Sequence, residues 1–116
     1  MDNGNNNNKE MWVLISSWSE DYGFAPGMNC SSSNIISVSF DKAKLQDYLN
    51  NVIVPETKES LVDEINNYFD FEGLGVITMD SIHVNHYPNE GEIDVFYRGH
   101  DIEYLYKLTI EKVKVI

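Results

Sequence analysis

The clearest pattern of hydrophobic and polar positions lies in the C-terminal third of the chain, residues 81–116. Residues 82–87 alternate between apolar and polar, turn residues follow at 88–91, and residues 92–98 and 102–110 alternate again. Alternation with a period of two places every second side chain on the same face of a strand. The pattern therefore predicts a three-stranded antiparallel meander with one apolar face.

The hairpin between the last two strands of this meander has a predicted register. Gly99 suits the first position of a two-residue type II′ turn, so Gly99 and His100 form the predicted loop. Pairing across that loop places Val95 opposite Tyr104. The alternation changes parity after Glu111, which predicts either a bulge or a last strand buried on both faces.

The N-terminal half predicts two further strands. The apolar run at residues 11–15 predicts a strand buried on both faces, and alternation over residues 34–40 predicts a second strand that pairs with it. Residues 16–33 are polar and contain glycine and proline, which predicts a long loop. Loops of this length in small domains are usually functional or mobile. This loop carries three aromatic residues, which are Trp18, Tyr22 and Phe24.

Apolar residues recur at helical spacing between these two groups of strands. Asp41 suits the N-cap of an amphipathic helix over residues 42–51, and Pro55 prevents the continuation of that helix. A second helix begins near Pro55 or Thr57, and Gly73 and Gly75 end it. The predicted order is β-β-α-α-β-β-β, an α+β fold in which an antiparallel sheet of about five strands carries both helices on one face.

Length and cysteine content limit the class of protein. A chain of 116 residues predicts one domain over residues 11–116, preceded by a disordered, asparagine-rich tail at residues 1–10. The single Cys30 excludes an intrachain disulfide and fits a reducing compartment. No apolar run approaches the roughly 20 residues of a membrane span, and the N-terminus has no secretory signal. The expected location is the cytoplasm.

The net charge of −11 is the most informative feature of the composition. Arg98 is the only arginine, so the chain has too few cations to bind nucleic acid directly or to attach to an anionic membrane surface. The charge predicts that the partner is another protein with a basic surface. The alternative is that the carboxylates only keep the protein soluble.

Two segments of the first half of the chain, MWVLISSWSEDYG and IISVSFDKAKLQDYL, show a resemblance. They resemble small uncharacterised accessory proteins of phages and mobile elements. Those proteins often begin with a strand, a turn that contains serine and tyrosine, a second strand, and a helix that opens on Asp or Ser. The resemblance implies an accessory protein that binds another protein, and it assigns no catalytic residue.

The residues that could perform chemistry do not form a recognisable site. His83 and His86 are three residues apart on a predicted strand, so they point to opposite faces and cannot ligate one metal ion together. Cys30 lies in the predicted loop without a base tied to it. We therefore predict no catalytic residue, no metal and no cofactor. A small hydrolase that uses Cys30 or His83 and His86 remains an alternative.

Binding residues are predicted on three surfaces. The outer face of the meander has aromatic side chains beside charged ones, with Phe96 opposite Glu103 and Leu105 opposite Asp94 in the predicted register. The second helix has an exposed acidic stripe, and the long loop has its aromatic residues. The predicted binding residues are Trp18, Tyr22, Phe24, Glu56, Glu59, Asp63, His83, Tyr87, Asp94 and Phe96.

The leading prediction is a non-enzymatic, acidic protein-binding module. In its sharpest form it is an inhibitor or immunity-type factor that acts on a basic or nucleic-acid-binding protein. The alternative from a different class is a structural or assembly subunit that forms homo-oligomers through a sheet edge.

Overall fold

The described residues form one five-stranded antiparallel sheet with a single long helix across one of its faces. The computed structural model describes residues 10–22, 30–88, 91–100 and 102–114. The strands are β1 (Glu10–Tyr22), β2 (Cys30–Ser39), β3 (His83–His86), β4 (Glu92–Gly99) and β5 (Ile102–Lys114). Their spatial order is β2-β1-β5-β4-β3, so β2 and β3 are the two edges of the sheet.

The prediction of two helices was wrong, because residues 42–72 form one continuous helix, α1. It is α-helical over Lys42–Tyr48, π-helical over Leu49–Ile53 and α-helical again over Val54–Glu72. The order of elements is therefore β-β-α-β-β-β, and the protein is mostly sheet.

The π-helical turn explains why Pro55 does not end the helix. In this turn the N–H of Val54 donates to the carbonyl of Leu49, five residues earlier. Pro55 then occupies the first turn of the following α-helical segment, where its missing N–H is tolerated. Sequence periodicity cannot reveal such a turn, because the apolar stripe continues through it.

The predicted outer ends of the helical region are confirmed. The Asp41 side chain caps the start by accepting the N–H groups of Ala43 at 3.0 Å and Lys44 at 3.4 Å. Gly73 ends the helix in the left-handed conformation, with φ of 70°. Both signals act within a few residues of the chain and do not depend on distant contacts.

The predicted meander exists as β3, β4 and β5, but the register of its last hairpin was wrong. Gly99 pairs with Ile102 instead of lying in the loop, and Val95 lies opposite Tyr106 instead of Tyr104. The shift is two residues, which keeps the apolar side chains on the predicted face.

Within β4, the ring of Tyr97 lies against Gly99. A Cβ atom at position 99 would stand 2.6 Å from the Tyr97 hydroxyl oxygen. His100 takes the positive φ, 51°, that the turn requires. Glycine is therefore needed at position 99 because a side chain there would collide with Tyr97, and not because of the turn.

The predicted long loop at residues 16–33 was also wrong, because most of it is strand. β1 continues to Tyr22 and β2 begins at Cys30. The hydroxyls of Ser17 and Ser33 hydrogen-bond across the two strands at 2.8 Å. This part of the hairpin lies away from the core, so its pairing does not require alternating apolar residues. Phe24 and residues 1–9 of the predicted tail lie outside the described residues, whereas Glu10, the last residue of that tail, begins β1.

The parity change near the end of β5 has neither predicted cause. The pairing of β1 with β5 runs without interruption from Glu10 and Lys114 to Tyr22 and Ile102. Residues 111–114 are exposed, so this end of the strand is not buried on both faces. A register shift occurs instead between β1 and β2, beside Leu14, where Ile36 has no paired residue.

The core lies between α1 and the sheet, and Phe69 is its largest fully buried side chain. The Phe69 ring packs edge-on against Tyr97, with ring centroids 5.9 Å apart. β1 is buried on both faces at Val13 and Leu14, as predicted for this strand. The most deeply buried residues of α1 and the sheet are Leu45, Leu49, Leu61, Ile65, Phe69, Leu14, Ile93, Val95, Ile102 and Leu108.

Candidate functional site

The solvent side of α1 carries a concentrated negative charge. Its segment Val54–Glu72 contains six carboxylates and one lysine, and all six carboxylates are exposed. Glu56, Glu59 and Asp63 lie on the side opposite the buried residues Leu61 and Ile65. Exposed carboxylates in one stripe reinforce one another's electrostatic field and attract cationic partners.

The C-terminal end of α1 and the segment after it expose apolar side chains that the sequence patterns did not identify. Phe71 is 86% exposed and Val76 is 82% exposed. Phe71 directly follows Asp70 and precedes Glu72, so an aromatic group stands among carboxylates. A signal was present in the sequence, because Phe71 lies two residues beyond Phe69 and therefore off the buried stripe of the helix.

A groove runs between α1 and the part of the sheet formed by β1 and β2. One wall is the flank of α1, and the floor comes from β1, β2 and β5. Trp18 lies on the same face as the floor, because it pairs with Tyr106 of β5. The groove is lined by Ser16, Ile36, Tyr48, Ile53, Glu56, Thr57, Ser60 and Tyr106.

The groove is acidic at its rim. Glu56 lines it directly, and the Tyr106 hydroxyl donates a hydrogen bond to Oε1 of Glu64 at 2.9 Å. Burial raises the pKa of Tyr106 above its usual range, and the hydrogen bond and charge of Glu64 and the charge of Glu20 raise it further. Three carboxylates therefore border the groove, and none of the described residues that line it is basic.

The outer face of the meander brings together His83, Tyr87, Asp94 and Phe96. His83 pairs with Phe96 and stacks on it with ring centroids 5.2 Å apart. The Arg98 guanidinium lies 5.6 Å from the centroid of the Phe96 ring. Phe96 is therefore partly covered by its own neighbours. Its partner on β5 is Leu105, not the predicted Glu103.

Asp94 is the buried polar group of this face, with 7% of its surface exposed. The Tyr87 hydroxyl donates to Asp94 Oδ2 at 2.5 Å, and this bond is the main cause that raises the pKa of Tyr87, followed by burial. Asp94 Oδ1 has no hydrogen-bond partner among the described residues. Asp94 pairs with Lys107 on β5, instead of the predicted Leu105.

The other residues that the sequence analysis considered for chemistry or binding lie in strands. Cys30 begins β2 opposite Glu20, and not in a loop as predicted. On β3, His83 pairs with Phe96 of β4 and His86 pairs with Ile93 of β4. Tyr22 ends β1 instead of lying in a loop.

Comparison with protein-family models, with curated proteins and with solved structures finds no match to this chain. In the described parts of the chain, no group of three histidine, cysteine or carboxylate side chains lies close enough to hold a metal ion. No helix there is long and apolar enough to cross a membrane.

Proposed function

We propose that this protein is a non-enzymatic, acidic binding module that recognises a basic surface of another protein. The observation that carries this proposal is the charge of α1. Its segment Val54–Glu72 has six exposed carboxylates and only one lysine. Two of the few cations elsewhere are already in ion pairs, Arg98 with Glu103 and Lys112 with Glu10.

The charge and the exposed apolar groups have separate roles in this proposal. Exposed carboxylates such as Glu56, Glu59 and Asp63 increase the rate of encounter with a cationic partner. Apolar side chains such as Phe71 hold the complex once it has formed, because they leave water on binding. A surface of this kind suits an inhibitor or immunity-type factor of a basic or nucleic-acid-binding protein. The resemblance to mobile-element accessory proteins supports the same class, and the single cysteine supports action in the cytoplasm.

Affinity capture from a lysate of the source cells tests this proposal. The bait protein is compared with two triple variants that have the same net charge. One neutralises the helix stripe, with Glu56→Gln, Glu59→Gln and Asp63→Asn. The matched control neutralises three exposed carboxylates elsewhere, with Asp21→Asn, Asp80→Asn and Glu111→Gln.

We expect the wild type and the control variant to capture a basic protein at low salt and at about 0.15 M salt. The helix variant should not capture it. The proposal is overturned if no basic protein is enriched at either salt concentration. Equal loss with both triple variants also overturns it, because the net charge alone would then explain the capture.

A second function is favoured by the edge strand β2. No residue from Cys30 to Phe40 carries a charged side chain, although most edge strands are guarded by charge or proline. Ile35 is 67% exposed, Val38 is 51% exposed and Phe40 is 59% exposed. These features suit a subunit that assembles with copies of itself through β2. Light scattering that finds only monomer at high concentration eliminates this function, and a dimer lost in Ile35→Lys supports it.

A further inference from the structure

The helix-side face of the sheet has room for a second helix. Five strands at a spacing of about 4.8 Å span roughly 19 Å, whereas one helix with its side chains is about 10 Å wide. The first turn of α1 lies near β1, where the Lys42 ammonium stands 4.8 Å from the Trp12 ring centroid. Its end lies over β4, where Phe69 contacts Tyr97. The helix therefore crosses the sheet and, among the described residues, leaves the distal half of β1 and β2 uncovered on this face.

The uncovered half is the groove described above, and its lining is amphipathic. Ile36 is 40% exposed and Tyr48 is 39% exposed, although both face the groove. Ser16 on the floor and Ser60 on the wall are small, so they leave space above the strands. Glu56 lines the groove, Glu64 accepts the hydrogen bond of Tyr106, and the charge of Glu20 acts on the same tyrosine, so all three carboxylates border this surface.

We propose that this groove binds an amphipathic, basic helix of a partner protein, which completes the helical layer on this face of the sheet. This inference rests on the proposed function and names the site and the chemistry of the partner. Leucine-like side chains at i, i+3, i+4 and i+7 of the partner helix contact Ile36, Trp18 and Tyr106. Lysine or arginine side chains along its flanks reach Glu56 and Glu64.

Charge complementarity selects this occupant over a second copy of the chain. The one long helix of a second copy is itself acidic, with six carboxylates against one lysine over Val54–Glu72. Like charges placed side by side across an interface are destabilising. A basic helix instead brings opposite charges to the rim while its apolar stripe covers the floor.

A synthetic peptide tests the inference directly. The probe is a labelled peptide of leucine and lysine, roughly 18 residues or about 27 Å long, with leucines at helical spacing. A control peptide of the same composition alternates leucine and lysine, which favours a strand. Fluorescence anisotropy measures the Kd, and circular dichroism of the mixture reports whether the peptide becomes helical.

Two adjacent residues of β2 supply matched protein variants. Ile36→Lys places a cation in the groove, whereas Ile35→Lys places the same cation on the opposite face of the sheet. We expect Ile36→Lys to weaken binding of the helical probe by about tenfold or more, and Ile35→Lys to leave it within about twofold of wild type. Ser60→Lys on the helix wall repeats the test should Ile36→Lys lose its fold.

Four results overturn the inference. Equal weakening by Ile36→Lys and Ile35→Lys, or equal binding of both peptides, shows that charge alone attracts the probe. A wild-type dimer that Ile36→Lys abolishes shows that a second copy occupies the groove. If Ile36→Lys still captures the basic partner from the lysate as wild type does, the proposed function stands and only the groove is wrong. The proposed function fails separately when the wild type captures no basic protein.

Discussion

The hydroxyl of Tyr106 on β5 donates a hydrogen bond to Glu64 on α1, with an oxygen-to-oxygen distance of 2.9 Å. This bond joins the sheet to the helix at the inner wall of the groove. The helix variants proposed above leave it intact, because Glu64 is not among the residues they change. It also makes the stability of the fold depend on the protonation of a tyrosine.

The first prediction concerns alkaline pH. The pKa of Tyr106 is raised in the folded state, mainly by burial and then by Glu64, above its usual value of about 10. The folded state therefore binds this proton more tightly than the unfolded state. The resulting stability is complete below about pH 10 and is lost as the pH rises through the folded-state pKa.

Urea unfolding between about pH 8 and pH 11 measures this effect. The free energy of unfolding of the wild type should fall above pH 10, and Tyr106→Phe should fall less steeply. Some slope should remain, because the pKa values of Tyr68, Tyr87 and Tyr97 are also raised. An identical slope in wild type and Tyr106→Phe contradicts the prediction.

The second prediction concerns Asn66, which holds the segment after the helix. Its Nδ2 donates to the carbonyl of Ile77 at 3.1 Å, and its Oδ1 accepts the N–H of Ile77 at 2.8 Å. Asn66→Ala removes both partners of a buried backbone unit and should lower the free energy of unfolding by about 1–3 kcal/mol. The adjacent Asn67→Ala is exposed and should change it by less than about 0.5 kcal/mol. Similar values for the two variants in urea unfolding would refute this role.

The third prediction concerns the contact between Gly99 and Tyr97. Gly99→Ala should lower the free energy of unfolding by about 1–3 kcal/mol, because its Cβ would overlap the Tyr97 hydroxyl. Tyr97→Phe removes the atom that stands 2.6 Å away, so Gly99→Ala should cost less in that background. A double-mutant cycle measures this difference. Strict additivity would show that the glycine is needed for another reason.

The fourth prediction separates the roles of charge and apolar contact in binding. With the captured partner, neutralising Glu56, Glu59 and Asp63 should slow association and flatten its salt dependence, while the dissociation rate stays nearly constant. Phe71→Ala or Trp18→Ala should instead accelerate dissociation. Phe96→Ala should have less effect than Phe71→Ala, because His83 and Arg98 cover the Phe96 ring. Surface plasmon resonance at several salt concentrations measures both rates, and an unchanged association rate at low salt would leave the stripe without a role in binding.

Local signals and the sheet pattern could be predicted from the sequence alone. Asp41 and Gly73 mark the ends of the helix because a cap depends only on backbone groups a few residues away. Alternation located β3, β4 and β5 because the apolar side chains on one face of these strands belong to the core or pack against it. The exposed acidic stripe followed from helical spacing for the same reason.

Only the tertiary structure decided the features that depend on contacts between distant residues or on space left empty. The register of the last hairpin depends on how β4 pairs with β5, and the length of β1 and β2 depends on pairing that covers no core. The helix continues past Pro55 because a π-helical turn precedes the proline. Buried residues before and after this turn pack into the same core. The groove itself exists because one helix crosses a sheet that is wide enough for two, and periodicity along a chain carries no measure of that width.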